Sequence, residues 1–196
     1  ADVRSPSEYS AGHIPGAVNI PLFNDREREI VGTKYKKEGR MQSILSGLEL
    51  SGPSLRTKLE TALRAAGNGK LLVYCWRGGM RSEAMSWLFS LGGIETIVLE
   101  GGYKAYRRYV LGELAADRKM IILGGLTGSG KTRILKHLGE NGHQVIDLEG
   151  LANHKGSAFG SLGQPSQPSS EQFANLLCGK LLKCDPYKPV WIEDES

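Results

Sequence analysis

One stretch constrains this chain more than any other. An apolar, β-prone run breaks into a loop rich in glycine and arginine: Leu71-Leu72-Val73-Tyr74-Cys75-Trp76-Arg77-Gly78-Gly79-Met80-Arg81-Ser82. The run reads as a strand, and Ser82-Glu83-Ala84-Met85-Ser86-Trp87-Leu88-Phe89 reads as a helix. A strand–loop–helix of this kind aims the loop amides at a common centre beside the positive end of the helix. Arg77, Arg81 and those amides are expected to hold Cys75 partly as thiolate. Gly78 and Gly79 permit backbone turns that a side chain blocks. An inert buried thiol at a strand end is the other reading. Packing alone gives no reason for two glycines and two arginines so close together.

Strands and helices alternate on both sides of this loop. Asp2-Val3-Arg4 reads as a short strand and Ser5-Pro6-Ser7-Glu8 as a capping box with proline in the first turn. Gly12 to Gly16 is a turn, and Ala17-Val18-Asn19-Ile20 a strand closed by Pro21. Asn24-Asp25 caps a charged helix through Ile30. Residues 32–53 are glycine-rich, basic (Lys34, Lys36, Lys37, Arg40) and poorly periodic. A solvated surface is the expected role of that charge run, with an RNA or phosphate contact the lesser alternative. Leu55, Leu59, Leu63 and Ala66 are spaced for a helix that Gly67 stops. Ile94 to Leu99 is a further strand, and Gly101-Gly102 opens a helix carrying Tyr103, Tyr106, Arg107 and Arg108. This alternation predicts an α/β fold with a parallel sheet.

Asp2-Val3-Arg4, Gly12-His13-Ile14-Pro15-Gly16-Ala17-Val18-Asn19-Ile20-Pro21, the Cys75 loop and Leu99-Glu100-Gly101-Gly102-Tyr103 together resemble the successive signatures of a rhodanese domain. The resemblance covers about residues 1–112 and places a domain over 1–114. It implies that Cys75 carries sulfur or selenium as a per-chalcogenide. His13 is expected to fix its turn rather than to catalyse. The loop departs from the family in one respect. Many rhodaneses place four residues between cysteine and arginine, whereas Cys75 and Arg81 are separated by five, and Ser82 follows. That is also the Cys-x5-Arg-Ser spacing of cysteine phosphatases, whose wider loop cradles a tetrahedral phosphate. Loop size leaves both chalcogen transfer and phosphoester hydrolysis open. A phosphatase also needs a general acid, and the sequence singles none out.

A second strand–loop–helix follows the polar link Asp117-Arg118-Lys119. Met120 to Gly124 is a buried strand, and Gly125-Leu126-Thr127-Gly128-Ser129-Gly130-Lys131-Thr132 fits G-x-x-x-x-G-K-[ST] in full. A helix with Ile134, Leu135 and Leu138 runs to Gly142. Gly125, Thr127, Gly128, Ser129 and Gly130 are expected to wrap a diphosphate with their amides. Lys131 then meets the phosphate oxygens, and Thr132 meets Mg²⁺ where a metal is used. His143 to Leu148 is a strand with Asp147 and Glu149 at its end; 150–168 is a loop in which His154 and Lys155 either touch an anion or are simply solvated, two readings of about equal weight. Ser169 and Gln172 cap a helix whose apolar face is Phe173, Leu176, Leu177 and Leu181, broken by Asp185-Pro186. Val190-Trp191-Ile192 is a strand, and Glu193-Asp194-Glu195 at its end is a weak Walker B candidate. The expected second domain is P-loop NTPase-like, spans 118–196 and is truncated, because the chain opens in what reads as a strand already under way and stops just after another.

Bulk properties exclude little beyond this. Net charge is +4, which permits an anionic partner without requiring one. Three widely spaced cysteines argue against a disulfide framework and for a reducing compartment, with Cys178 and Cys184 read as structural. No apolar run reaches membrane-spanning length and no signal-peptide pattern is present. The expected location is the cytoplasm.

Residues 75–82, Gly101 to Arg108, Gly124 to Thr132, and Asp147-Leu148-Glu149-Gly150-Leu151-Ala152-Asn153-His154 with Gly156-Ser157-Ala158-Phe159-Gly160 resemble, in combination, the tRNA 2-selenouridine synthase family. The resemblance runs essentially end to end. It implies exchange of sulfur for selenium at C2 of a tRNA wobble uridine, through an S-geranylated 2-thiouridine. The implied substrates are geranyl diphosphate and selenophosphate, and an enzyme supplying selenophosphate is an implied partner. Cys75 is then the chalcogen carrier, Arg77 and Arg81 steady the selenium donor, and the 125–132 loop holds the prenyl diphosphate. Residues 34–40 and 104–108 are the basic candidates for tRNA docking. The competing functions are a sulfurtransferase joined to an ATPase, a cysteine phosphatase joined to a kinase-like domain, and a tRNA-binding module without catalysis.

Overall fold

The computed structural model describes residues 1–126, 128–154 and 163–194. Thr127, Lys155, residues 156–160 and Glu195, all singled out above, lie outside the described residues. The chain divides into two compact units, Ala1–Arg108 and Tyr109–Ser196.

The first unit begins with α1 (Pro6–Ala11), where Glu8 Oε2 accepts from Ser5 N at 3.1 Å and Pro6 opens the helix. α2 (Asp25–Glu38) starts on a reciprocal cap, Glu27 N to Asn24 Oδ1 and Asn24 N to Glu27 Oε2, both 2.9 Å. Gly39 at φ +87° turns the chain into α3 (Arg40–Ser51). A 3₁₀ turn leads to α4 (Leu55–Ala65), then β1 (Lys70–Val73), α5 (Met80–Leu91), β2 (Glu95–Val98) and α6 (Gly102–Ala115). The division between the units falls within α6.

Two expectations change here. The poorly periodic stretch 32–53 is almost wholly helical, and α2 packs against α3. The helices escape the apolar-period reading because α3 buries small residues, Ser43, Ser46, Gly47 and Ser51, rather than an apolar stripe. Gly47 lies against Phe23, to which a Cβ there would approach within 3.1 Å. The strands expected at 2–4 and 17–20 shrink to single parallel bridges, Asp2 with Asn19 and Asp2 with Tyr74. Pro6 and Pro21 lack the N–H groups that longer ladders need.

β1 and β2 pair in parallel from Lys70–Glu95 to Val73–Val98. The extended chain at Asp2 and Val3 lies on the other side of Tyr74, with Val3 N donating to Tyr74 O at 3.0 Å. Val3, Ile20, Val73, Met85, Phe89 and Ile94 build the core beneath. Asp2 and Arg4 form a buried ion pair at 2.6 Å. Arg4 Nη2 also donates to Gly12 O at 2.6 Å, and its guanidinium lies 3.7 Å over the Tyr103 ring. Desolvated charges persist only when so fully partnered. This pair therefore fixes the chain start, the Gly12 turn and the first turn of α6 to one another.

The second unit contains β3 (Met120–Leu123), α7 (Lys131–Glu140), β4 (Gln144–Ile146), α8 (Leu148–Ala152), α9 (Ser170–Leu181) and β5 (Val190–Glu193). The parallel sheet has the order β3-β5-β4. Ile146, Leu181 and Val190 centre its core. The loop expected from residue 150 starts later, because Asp147 Oδ1 accepts from Gly150 N at 2.6 Å and caps α8. α9 buries Gln172, Asn175, Cys178 and Leu181, a face rotated from the apolar one expected. Asn175 Nδ2 donates to Gln172 Oε1 at 3.4 Å, so the two amides partner each other inside. Among the described residues no helix is long and apolar enough to cross a membrane.

Candidate active site

The Cys75 loop owes its shape to α6. Tyr103 N donates to Cys75 O at 2.8 Å and Lys104 N to Trp76 O at 2.9 Å, so the positive end of α6 takes up the loop's first carbonyls. This needs backbone against backbone. Gly78 (φ +66°) would place a Cβ 2.5 Å from Leu99 O, and Gly102 (φ +57°) would drive one into Cys75 O and Gly78 N. Gly102→Ala is therefore expected to destabilise the first unit by about 2 kcal/mol or more, from strain and loss of this seat. Urea unfolding followed by circular dichroism checks it; an unchanged midpoint contradicts the packing described.

The Cys75 thiol is buried, and its sulfur lies 3.3 Å from Ser82 Oγ. Burial pushes its pKa up. The Ser82 hydroxyl and backbone groups at Gly79, Arg77 and Ser82 outweigh that effect and bring the thiol below the ordinary cysteine value. The single Ser82 hydroxyl proton has two acceptors, Gly79 O at 2.8 Å and the sulfur. On ionisation it serves the sulfur. Ser82→Ala removes that donor and keeps the burial, so the pH midpoint for alkylation by iodoacetamide should rise. An unmoved midpoint assigns the ionisation to the backbone groups alone.

The two loop arginines behave differently from expectation. Arg81 Nη1 pairs with Glu8 Oε2 at 2.8 Å, and Arg28 Nε lies 3.7 Å from the same oxygen. Burial raises the Glu8 pKa, but Arg81, the Ser5 amide and Arg28 together hold it below the usual carboxylate value. Glu8 is a site residue that sequence reasoning missed. Its signal was the capping box, which accounts for one hydrogen bond of a carboxylate able to accept several. Arg77 is exposed on the loop. His13 stacks on Tyr9, with ring centroids 3.9 Å apart, and its Nδ1 meets Tyr9 O at 3.1 Å, the arrangement of a turn-fixing histidine.

A cavity of about 930 Å³ opens over this loop. Its walls are α2, α3 and α5, so the segment expected to be mere solvated surface covers the nucleophile.

In the second unit, the 124–130 loop links β3 to α7, and Gly130 (φ +88°) precedes the helix. Ser129 N donates to Leu126 O at 3.1 Å. Lys131 Nζ donates to Gly125 O at 2.5 Å and to Leu126 O at 3.4 Å, so the ammonium lies over the loop's own carbonyls. Thr132 is exposed in the first turn of α7. Glu193 is buried on β5 beside β3, and its Oε1 accepts from Glu149 N at 3.1 Å. Its Oε2 is buried and has no hydrogen-bond partner among the described residues. Burial and then the neighbouring Asp147 and Glu149 carboxylates hold Glu193 above the usual carboxylate value, against the Glu149 amide. Among the described residues no group of three or more His, Cys, Asp or Glu is arranged to hold a metal.

Two family models match. The rhodanese-like domain matches residues 1–109 and the tRNA 2-selenouridine synthase AAA domain matches residues 118–196. Full-length matches to this chain include proteins named tRNA 2-selenouridine synthase from Nitrosomonas europaea, 41% identical, and from Sulfurovum sp. NBC37-1, 44% identical. The chain spans about half of each, 52% and 54% respectively. A solved N-terminal domain from Clostridium difficile 630 is similar at 42% identity and a TM-score of 0.54, over 56% of this chain and 86% of that one. With the first of those models fitted over more than half its length, the chain belongs to the rhodanese-like domain family, here joined to a tRNA 2-selenouridine synthase AAA domain.

Proposed function

We propose that this chain carries both chemical centres of an enzyme that converts 2-thiouridine of tRNA to 2-selenouridine through an S-geranyl intermediate. The observation that supports it best is Cys75, whose thiol lines the cavity and is held below the ordinary cysteine value by the Ser82 hydroxyl and loop backbone groups, in a chain that also has a complete phosphate-binding loop. The relatives' shared name supports the substrate class.

In the first step the thiocarbonyl sulfur attacks the first carbon of geranyl diphosphate. A C–S bond forms, the C–O bond breaks, diphosphate leaves with the electron pair, and the N3 proton goes to solvent. Lys131 and the loop amides of Gly125, Gly128 and Gly130 stabilise that leaving charge, joined by Ser129 N once it gives up Leu126 O. Where a divalent ion accompanies the diphosphate, Thr132 Oγ1 and the orphaned Glu193 Oε2 are the oxygens this unit offers it.

In the second step the Cys75 thiolate attacks the phosphorus of selenophosphate. An S–P bond forms and selenium leaves with the Se–P pair as hydroselenide. Hydroselenide adds at C2, its proton passes to N3, and geranylthiolate departs with the C2–S pair and takes a proton from water. Water then hydrolyses the phosphocysteine to phosphate. Every atom keeps its oxidation level. A per-chalcogenide on Cys75, the expectation from the rhodanese resemblance, needs phosphite as leaving group or an added oxidant. The Cys-x5-Arg-Ser spacing, wide enough for a tetrahedral phosphate, agrees with attack at phosphorus.

Mass spectrometry of wobble uridine from cells with and without the full-length protein tests the reading. The 2-seleno nucleoside is expected to vanish on deletion, and its persistence overturns the assignment.

A further inference from the structure

The cavity over Cys75 is larger and more apolar than a selenium donor requires. Selenophosphate is a small, strongly hydrated anion, well served by a few donors. The space here is about 930 Å³. Val31 from α2, Ile44 and Leu48 from α3, and Met85 and Leu88 from α5 line it together with Cys75. Apolar side chains also stand in water around it: Leu48 is 64% exposed, Trp87 63% and Tyr35 58%. Contiguous apolar surface in and around a concave site marks a ligand with apolar area to bury. Most of the charged lining groups are cationic, Arg28, Lys36, Arg40, Arg77 and Arg81 against the single carboxylate of Glu29. That combination suits an apolar chain tethered to a polyanion.

Resting on the function just proposed, we infer that this cavity seats the prenyl chain of the S-geranylated uridine, while the surrounding cations meet the phosphates of the RNA that carries it. The inference separates two tasks. The phosphate loop of the second unit handles the diphosphate end of the prenyl donor. The α2–α3 pair of the first unit holds the chain once it is on sulfur, in the cavity that Cys75 lines. Apolar anchoring holds the geranylthio leaving group beside the cysteine during exchange and excludes water from the reacting carbon. It also accounts for a helical pair above a nucleophile whose own donor substrate has no apolar part.

The test uses full-length protein and two nucleosides, S-geranyl-2-thiouridine and S-methyl-2-thiouridine, with binding read by tryptophan fluorescence and equilibrium dialysis. The geranyl form should bind at least about tenfold tighter, since each buried methylene contributes severalfold. Leu48→Asp should erase that preference; its side chain is already largely exposed, so the fold should tolerate the charge. A diazirine-bearing prenyl thioether gives a second measurement on the unaltered protein. Labelled peptides from residues 25–51 support the inference, and labelling confined to 118–194 overturns it. Equal affinity for the two nucleosides also overturns it. So does a Leu48→Asp defect that weakens unmodified and geranylated tRNA equally, which makes the cavity a general RNA contact. Conversion of geranylated to selenated tRNA is scored separately. Conversion without chain preference removes only the cavity assignment, whereas no conversion by the wild-type protein removes the function on which it rests.

Discussion

Cys75→Ser is expected to abolish selenium incorporation, by at least about 10³-fold, while S-geranylation of thiolated tRNA continues near the wild-type rate. The substitution changes one atom in a buried site, so packing with Ser82 and the α6 seat should survive. What disappears is the thiol nucleophile. The donors that bring the thiol below its ordinary pKa cannot ionise a serine hydroxyl near neutrality. In the proposed division of labour geranylation draws on the phosphate loop, which contains no cysteine. The nucleoside profile should therefore stop at S-geranyl-2-thiouridine, which accumulates at the expense of the 2-seleno product. Equal loss of both products from a folded variant contradicts the division of labour. Phosphate release from selenophosphate should disappear together with selenation; its persistence in Cys75→Ser denies the cysteine its attack at phosphorus.

The two loops were legible in the sequence because both are written in local code. A β-prone run, glycines at turn positions and a helical period follow one another within about twenty residues at each. What covers the first loop was not legible. α3 buries serine and glycine and α2 fully buries none of its residues, so no apolar stripe announces them, and their lysines and arginines resemble an ordinary solvated face. The partner of Arg81 was also hidden. Glu8 is 73 positions away in sequence, and the capping box explained its presence locally. Ion pairing across such a separation depends on where the turns deliver the chain. By contrast, the groups that lower the Cys75 pKa lie within seven residues of it, although the sequence pointed to the Arg77 and Arg81 side chains and not to the Ser82 hydroxyl.

Lys131→Ala is expected to reverse the Cys75→Ser pattern, lowering geranylation by about 10²-fold or more. In the structure the ammonium lies on the Gly125 and Leu126 carbonyls, so it must exchange those neutral acceptors for phosphate oxygens when diphosphate arrives. That exchange favours the ligand because charged acceptors bind an ammonium more strongly than carbonyls do. The same charge then meets the diphosphate as it departs, where the need for stabilisation is greatest. Alanine suits the first turn of α7, and Leu135 keeps the helix anchored, so the fold should persist. The defect should sit upstream of Cys75. Supplied with tRNA already carrying S-geranyl-2-thiouridine, the variant should form 2-selenouridine at the wild-type rate. If selenation of that pre-alkylated tRNA falls as far as geranylation does, the phosphate loop serves both steps and the two centres are not separable.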